Sequence, residues 1–197
     1  MSNNLFITGK IRTGKSTILK EAITPFKSLA GGFFVQRILR GKETYAFRLV
    51  DLAKEAYLPN MQIDDLQNHA DYILLKLSNA PVDGEVFKRV GMFSLTNAWE
   101  HKGLILMDEL GIMEANIPEF TDAVWQTLDK NIPVIGVIKK KPNPFLDKVR
   151  ARTDVQIIDL DELGTALVRK KIKEFLRVIQ NINLDSCNHP VAGKEGY

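Results

Sequence analysis

The sequence has 197 residues, of which 45% are hydrophobic and 26% are charged, and its formal net charge is +3. These values are those of an ordinary globular chain that is long enough for one α/β domain, and they argue against a disordered, fibrous or dedicated nucleic-acid-binding protein. The single cysteine, Cys187, excludes an intrachain disulfide and any metal site built from cysteines.

The chain opens on a short apolar run that breaks at Gly9 and resumes with helical periodicity after Gly14, which predicts a strand, a glycine loop and a helix. The segment fits the pattern G-x-x-x-x-G-K-[ST], whose backbone N–H groups wrap phosphates. The helix directs its positive dipole end at the same anion. We predict that Lys15 reaches the β- and γ-phosphates and that the Ser16 hydroxyl is a ligand of Mg²⁺. The predicted phosphate-binding residues are Gly9, Lys10, Ile11, Arg12, Thr13, Gly14, Lys15, Ser16 and Thr17.

The next part of the chain is predicted to mix helices with a β-hairpin. The predicted elements are a helix at 16–27, a strand at 31–39, a turn at 40–43, a strand at 44–51, strands at 72–77 and 86–93 with a loop at 79–84 between them, and a short helix at 94–99. Pro25 is expected to end or kink the first helix, and Ser94 is a candidate N-cap. Residues 59–71 carry no clear pattern.

A second candidate motif lies at residues 103–109, where a continuous apolar run ends in Asp108 and Glu109. Such a run is expected for a central parallel strand that is buried on both faces. In open α/β sheets the carboxyl end of that strand faces the ligand crevice. We therefore predict that Asp108 holds Mg²⁺ and that Glu109 orients or activates the attacking water, so that Glu109 and Lys15 are the candidate catalytic residues.

The rest of the chain alternates helices and strands. The predicted elements are a helix at 117–130, a strand at 133–138, a loop at 139–144, a helical turn or two at 145–150, a strand at 154–159 and a helix at 162–182. The alternation implies a mainly parallel sheet with right-handed crossovers. We predict a three-layer α/β fold of the P-loop NTPase type, with a single domain at 1–182 and a flexible tail at 183–197.

Phosphoryl transfer also needs a positive charge near the transition state, which is commonly an arginine. Arg150 and Arg152 are favoured because they follow a loop after a sheet strand. The other arginine candidates are Arg12, Arg37, Arg40 and Arg89. The lysines at 139–141 fit a solvated loop better than a nucleic-acid contact.

With both motifs placed, the chain resembles the small P-loop nucleoside-triphosphatase family known from thermophiles and, in vertebrates, as cancer-related nucleoside-triphosphatase. Residues 107–114, Met-Asp-Glu-Leu-Gly-Ile-Met-Glu, are similar to the family's D-E-I-G-x-M-E. The resemblance covers most of residues 3–160. It implies a RecA- and AAA-like core, slow Mg²⁺-dependent hydrolysis of several NTPs, and Glu114 as a carboxylate in or beside the site. Ile11 and Arg12 stand where the family usually has Pro and a second Gly.

The sequence thus predicts a Mg²⁺-dependent nucleoside-triphosphatase that hydrolyses ATP, GTP or another NTP, with low base selectivity, to NDP and phosphate. One alternative is a nucleotide or small-molecule kinase, with residues 142–152 as a candidate lid. The other is an NTP-binding switch or assembly protein with little turnover, which the departures from the family pattern favour. No stretch approaches the roughly 20 apolar residues of a membrane span and no signal peptide is evident, so a cytoplasmic protein without a membrane partner is expected.

Overall fold

The fold is a central sheet between two layers of helices. The computed structural model describes residues 3–66, 73–76 and 83–187. The strands are β1 (Asn4–Thr8), β2 (Ala30–Arg40), β3 (Glu43–Asp51), β4 (Asn60–Gln62), β5 (Ile73–Lys76), β6 (Leu104–Leu110), β7 (Val134–Ile138) and β8 (Val155–Asp159). The α-helices are α1 (Lys15–Ile23), α2 (Gly84–Val86), α3 (Phe93–His101), α4 (Pro118–Leu128), α5 (Pro144–Arg150) and α6 (Leu160–Cys187).

The sheet is mainly parallel. Seven strands follow the order β5-β3-β2-β6-β7-β1-β8, and β4 pairs with β2. Only the pairs β2–β3 and β3–β5 are antiparallel among the described strands. One edge of β2 pairs with β6 at residues 30–34 and with β4 at residues 37–39. The predicted α/β fold with a β-hairpin in a mainly parallel sheet is confirmed.

Each face of the sheet carries its own hydrophobic core. Helices α1 and α6 cover one face, where they bury residues such as Leu19 and Ile172 against Leu5 of the central strand β1. Helices α3, α4 and α5 cover the other face, where Phe120 packs on Phe33 of β2 and Phe6 of β1 belongs to the same core. Successive residues of β1 therefore point into opposite cores, as a strand buried on both faces requires. The apolar runs of β6 and β7 have the same explanation.

The prediction of a strand at 86–93 is wrong, because this segment is helical. Residues 84–101 form α2, a π-helical stretch at Phe87–Met92 and α3 without a break. The Asp83 side chain caps the start by accepting a hydrogen bond from Glu85 N at 3.0 Å. Ser94, the predicted N-cap, lies inside the helix, and its hydroxyl donates to the carbonyl of Val90 at 2.5 Å.

Several element ends also differ from the prediction. Helix α1 ends at Ile23 and a 3₁₀ turn at Thr24–Phe26 follows, so Pro25 does end the helix. The unassigned stretch contains β4 and a 3₁₀ turn at Ile63–Asp65.

The last helix and the tail differ too. Helix α6 runs on to Cys187, with a kink at Gly164, where φ is +72°. The remaining tail residues, 188–197, lie outside the described residues, as do the predicted strand ends at 72 and 77 and most of the predicted loop at 79–84. No helix in the described ranges has the length and apolar character needed to cross a membrane. The single-domain boundary at 182 stays a prediction.

Candidate active site

The carboxyl ends of β1, β6 and β7 meet at one edge of the sheet, under a cleft of about 740 Å³. Basic side chains outnumber acidic ones in its lining, which favours a polyanionic ligand. The predicted phosphate loop after β1 and the start of α1 contribute residues 9–17. The end of β6 and the turn after it contribute Asp108, Glu109, Ile112 and Met113, and the loop after β7 contributes Lys139, Lys140 and Lys141. The β2–β3 hairpin and the start of β4 contribute Val35, Arg37, Thr44, Phe47, Pro59 and Asn60.

The loop after β1 has the compact geometry that its glycines predict. Gly9 and Gly14 have φ values of +140° and +88°, which favour glycine over residues with a side chain. The Thr13 hydroxyl braces the loop by donating to the carbonyl of Lys10 at 2.9 Å. The backbone N–H of Lys10 donates to both carboxylate oxygens of Asp161, at 2.9 and 3.2 Å. These hydrogen bonds connect Lys10, the residue after Gly9, to the start of α6.

The Lys15 side chain lies inside this loop. Its ammonium donates to the carbonyl oxygen of Gly9 at 3.1 Å and to that of Lys10. Burial lowers the pKa of Lys15, and the nearby carboxylates of Glu109 and Asp161 oppose that effect. Helix α1 begins at the same residue, so its unpaired N–H groups open onto the loop. The arrangement suits the binding of phosphate oxygens.

Asp108, at the end of β6, lies directly beside the phosphate loop. The Ser16 hydroxyl donates to Asp108 Oδ1 at 3.1 Å, and the Tyr57 hydroxyl donates to Oδ2. Burial raises the pKa of Asp108 to about 7, although the hydrogen bonds from Tyr57 and Ser16 and the charge of Lys15 act in the opposite direction. Burial and the Asp108 charge raise the pKa of Tyr57 well above its ordinary value, so the phenol is the donor.

The oxygen ligands at this point fit a magnesium ion. Ser16 and Asp108 offer a hydroxyl and a carboxylate, and Mg²⁺ is commonly bound by one or two such groups together with phosphate oxygens and water. Across the described residues, no group of three or more His, Cys, Asp and Glu side chains could hold a metal by itself. The donor set is therefore suited to an ion that is shared with a nucleotide.

Glu109 lines the same cleft. Its carboxylate pairs with the Lys139 ammonium at 3.1 Å, and both side chains are partly exposed. Lys139 follows β7 and Glu109 lies near the end of β6, so this ion pair joins two neighbouring strands at their carboxyl ends. The structure thus brings together the loop lysine, the loop serine and the two acidic residues that the sequence predicted as one site.

Glu114 has a different place. Its side chain is buried and accepts a hydrogen bond from the backbone N–H of Gly111, and it is absent from the residues that line the cleft. Burial raises the pKa of Glu114 to about 7. The contact closes the turn between Gly111 and Glu114, and this turn presents Ile112 and Met113 to the cleft. Glu114 therefore lies beside the site and shapes one wall.

The two favoured arginines do not face the cleft. Arg152 forms ion pairs with Asp129 and Asp154 at 2.8 Å each, at the end of the sheet opposite to the phosphate loop. Arg150 donates to the carbonyl oxygens of Lys139 and Lys141, so it stabilises the loop after β7. Among the candidates, Arg12 and Arg37 are the ones that line the cleft.

Two residues in contact with the site have no signal in the sequence. Tyr57 follows β3 in irregular backbone, and Asp161 is one of several acidic residues near the start of α6. Each meets its partner only through tertiary structure, since Tyr57 lies 51 residues from Asp108 and Asp161 lies 151 residues from Lys10. Neither residue belongs to a local motif that could have identified it.

Comparisons with known proteins agree with this geometry. A family model described as NTPase matches residues 4–173. The nucleoside-triphosphatase THEP1 of Thermotoga maritima is 30% identical over 174 residues, which are 88% of this chain and 95% of that protein. A mouse cancer-related nucleoside-triphosphatase homolog is 27% identical over 172 residues, which are 81% of this chain and 89% of that protein. The crystal structure of THEP1 from Aquifex aeolicus has the same fold, with a TM-score of 0.65, 20% identity, and coverage of 86% of this chain and 96% of that one.

Proposed function

This chain belongs to the NTPase family and is a nucleoside-triphosphate phosphohydrolase, and we propose that it hydrolyses ATP, GTP and other NTPs, with Mg²⁺ and low base selectivity, to NDP and phosphate. The observation that carries the proposal is the 3.1 Å contact between the Ser16 hydroxyl and the Asp108 carboxylate. Ser16 lies at the start of α1 and Asp108 lies near the end of the buried strand β6. The contact brings the two side chains together beside the phosphate loop. That pairing is the one that a metal-bound triphosphate requires.

Binding of the triphosphate is assigned to the loop and to Lys15. The loop N–H groups and those at the N-terminus of α1 donate hydrogen bonds to phosphate oxygens, and the Lys15 ammonium exchanges its bonds to loop carbonyls for bonds to the β- and γ-phosphates. Ser16 and Asp108 would hold Mg²⁺. When bound, the ion neutralises charge on the phosphate oxygens.

Glu109 is assigned to the attacking water. Its carboxylate lines the cleft next to Asp108 and accepts hydrogen bonds, so it can orient a water molecule towards the γ-phosphate and take up the proton that is released on attack. Lys139 holds this carboxylate through the 3.1 Å ion pair and so keeps it at the wall of the cleft. The P–O bond to the NDP breaks as the bond to water oxygen forms, and inorganic phosphate leaves.

The proposal is tested by phosphate release from ATP, GTP, CTP and UTP, with Mg²⁺ and with EDTA. We expect turnover of all four NTPs only with Mg²⁺. Lys15→Ala should lose nucleotide binding, whereas Glu109→Gln should bind normally and turn over at least about 100-fold more slowly, the usual range for loss of a general base. Glu100→Gln, an exposed carboxylate on α3, is the matched control.

The same assay separates the alternatives. Phosphate release by the wild type that does not exceed that of Glu109→Gln would refute hydrolysis at this site. Tight binding without turnover would then point to a nucleotide-dependent switch. Transfer of the γ-phosphate to an added nucleoside or nucleoside monophosphate, followed with labelled ATP, would point to a kinase.

A further inference from the structure

The segment between β3 and β4, residues 52–59, brings Tyr57 onto the acidic end of β6. We refer to residues 52–59 as the strap. The Tyr57 ring packs on Phe34 of β2 with a centroid distance of 5.0 Å, and Phe34 is the residue of β2 that pairs with Asp108 in the parallel register. Tyr57 is 7% exposed, and its hydroxyl donates to Asp108 Oδ2. The phenol therefore reaches the carboxylate across one strand.

The strap is fixed on both sides of the tyrosine. Before it, Glu55 forms an ion pair with Arg48, whose side chain is fully buried under the strap. After it, the carbonyl oxygen of Leu58 accepts a hydrogen bond of 2.8 Å from the Gln36 side chain. Arg48 and Gln36 are paired residues on β3 and β2, so both anchors come from the same place on the hairpin. The hairpin thereby sets the position of the Tyr57 hydroxyl.

The two oxygens of Asp108 have different partners as a result. Oδ2 accepts from Tyr57, which is on the buried side, and Oδ1 accepts from Ser16, which is on the side of the phosphate loop. A carboxylate bonded through one oxygen cannot turn freely about its χ2 torsion. The other oxygen is therefore kept facing the serine and the loop. Without the phenol, Oδ2 would lose its buried donor.

We propose that Tyr57 is a positioning residue for the metal site: its hydroxyl holds Asp108 so that Oδ1 faces Ser16, the residue with which it would hold the ion, and the strap fixes the position of Tyr57. This inference rests on the proposed function, because it assigns Asp108 to Mg²⁺. Groups that hydrogen-bond metal-binding side chains generally affect metal affinity strongly, by about 10- to 100-fold when they are removed. The Ser16 hydroxyl also interacts with the Tyr57 phenol and acts to lower its pKa, so Tyr57 acts through both residues that would hold the ion, and it has no contact with the nucleotide in this assignment.

The test measures metal affinity separately from catalysis. Mn²⁺ binding is followed by electron paramagnetic resonance, with enough protein that all added ADP is bound, and ADP binding without metal is measured by calorimetry in EDTA. We expect Tyr57→Phe to weaken Mn²⁺ binding at least about 10-fold and to leave metal-free ADP binding unchanged. Tyr45→Phe, which removes the hydroxyl of a half-buried tyrosine on β3, is the matched control and should bind Mn²⁺ like the wild type.

The possible outcomes are distinct. Wild-type Mn²⁺ affinity in Tyr57→Phe would overturn the proposal, and so would equal losses of Mn²⁺ and metal-free ADP binding, which indicate a structural effect only. If Tyr57→Phe does not fold, Gln36→Met replaces it, because that variant removes the Leu58 anchor and keeps the phenol. Weaker Mn²⁺ binding with normal metal-free ADP binding then supports the proposal, and wild-type Mn²⁺ binding overturns it.

Failure of the proposed function would look different. A wild type that binds Mn²⁺ and ADP but releases no phosphate from NTPs contradicts hydrolysis and leaves the role of Tyr57 in place. A wild type that binds no Mn²⁺ contradicts both the metal assignment and the inference.

Discussion

At the residue scale, two buried carboxyl groups lie in or beside the cleft, and only one of them has a candidate ligand. Asp108 faces Ser16, so a metal ion can stabilise its charge. Glu114 has Gly111 N as its donor, with Glu109 raising and Lys139 lowering its pKa through their charges. Since burial outweighs these contacts and raises the pKa of Glu114 to about 7, its ionised form is costly in the folded protein.

Glu114→Gln should therefore change how stability depends on pH. The pKa of Glu114 in the folded protein lies above the ordinary value of 4.5. Protonated Glu114 therefore contributes its full share of the unfolding free energy below about pH 4.5, and this share is lost as the pH rises through about 7. Glutamine keeps an acceptor oxygen for Gly111 N but cannot ionise. Between pH 5 and pH 8, the unfolding free energy of the variant should rise relative to that of the wild type by at least about 1 kcal/mol, which corresponds to roughly one pKa unit.

Urea unfolding at pH 5 and pH 8 measures this difference. Glu100→Gln on α3 is the control, because that side chain is exposed, and its pH dependence should follow that of the wild type. Equal changes in unfolding free energy for Glu114→Gln and the wild type would mean that Glu114 is already ionised without cost.

Arg12 also lowers the stability of the folded protein, because its φ of +63° lies in the left-handed region. That conformation costs a residue with a side chain roughly 1–2 kcal/mol, whereas the added chain entropy of glycine costs about 0.5–1 kcal/mol. Arg12→Gly should then raise the free energy of unfolding by about 0.5–1 kcal/mol, measured by urea denaturation without nucleotide. Lys10→Gly is the control: its φ is not positive, so it should lose stability. A loss in both variants would contradict the explanation.

At the element scale, the sequence predicted the buried parallel strands well and the segment 84–101 poorly. The strands were readable because burial on both faces leaves a continuous apolar run, as in β6 and β7. In segment 84–101, Val86, Phe87 and Val90 are residues that favour strands, and their local preference misled the prediction. The buried positions Val86, Val90, Ser94 and Ala98 recur every four residues, which is the spacing of a helix.

Packing on α4 explains why the helix prevails there, and it makes Gly91 sensitive to substitution. A Cβ at Gly91 would lie 2.5 Å from Phe120 Cε2 and 3.2 Å from Leu49 Cδ2. Both neighbours are fully or almost fully buried, so they have little room to move. Gly91→Ala should lower the free energy of unfolding by about 1–3 kcal/mol, the usual cost of overpacking.

Gly84→Ala is the matched control in the same helical segment. Its added methyl group would meet only Ile117, at 3.5 Å, so its effect on the free energy of unfolding should stay within about 0.5 kcal/mol. Urea denaturation of both variants decides the matter. If the two substitutions cost the same, close packing of α4 is not what restricts Gly91.

At the scale of the whole molecule, the site is assembled by the sheet from distant parts of the chain. Ser16 and Asp108 are 92 residues apart and meet because β1 and β6 end at the same edge. This half of the site could be predicted, since each motif shows which end of its strand carries the functional residue. The contact of Tyr57 with Asp108 and the contact of Asp161 with Lys10 could not be predicted, because they depend on irregular segments whose paths are set by tertiary contacts.

If the site binds Mg²⁺ and nucleotide as proposed, both ligands should raise the stability of the whole fold. Binding of Mg²⁺ and ADP to the folded state alone, at a free concentration 100 times the dissociation constant, should raise the free energy of unfolding by about 2.7 kcal/mol. For a chain of this size that corresponds to a rise in Tm of roughly 5–10 °C. ADP in EDTA should give a smaller rise, because only the loop and Lys15 then contribute.

The Asp108→Asn variant separates the two contributions in thermal unfolding. Its own Tm without ligand differs from that of the wild type, so the increments are compared. We expect it to keep the increment from metal-free ADP and to lose the further increment from Mg²⁺, because asparagine is a neutral and weaker ligand. Asp122→Asn, an exposed position on α4, should keep both increments. A full Mg²⁺ increment in Asp108→Asn would show that the ion binds elsewhere, since a ligand stabilises the fold only through residues that it contacts in the folded state.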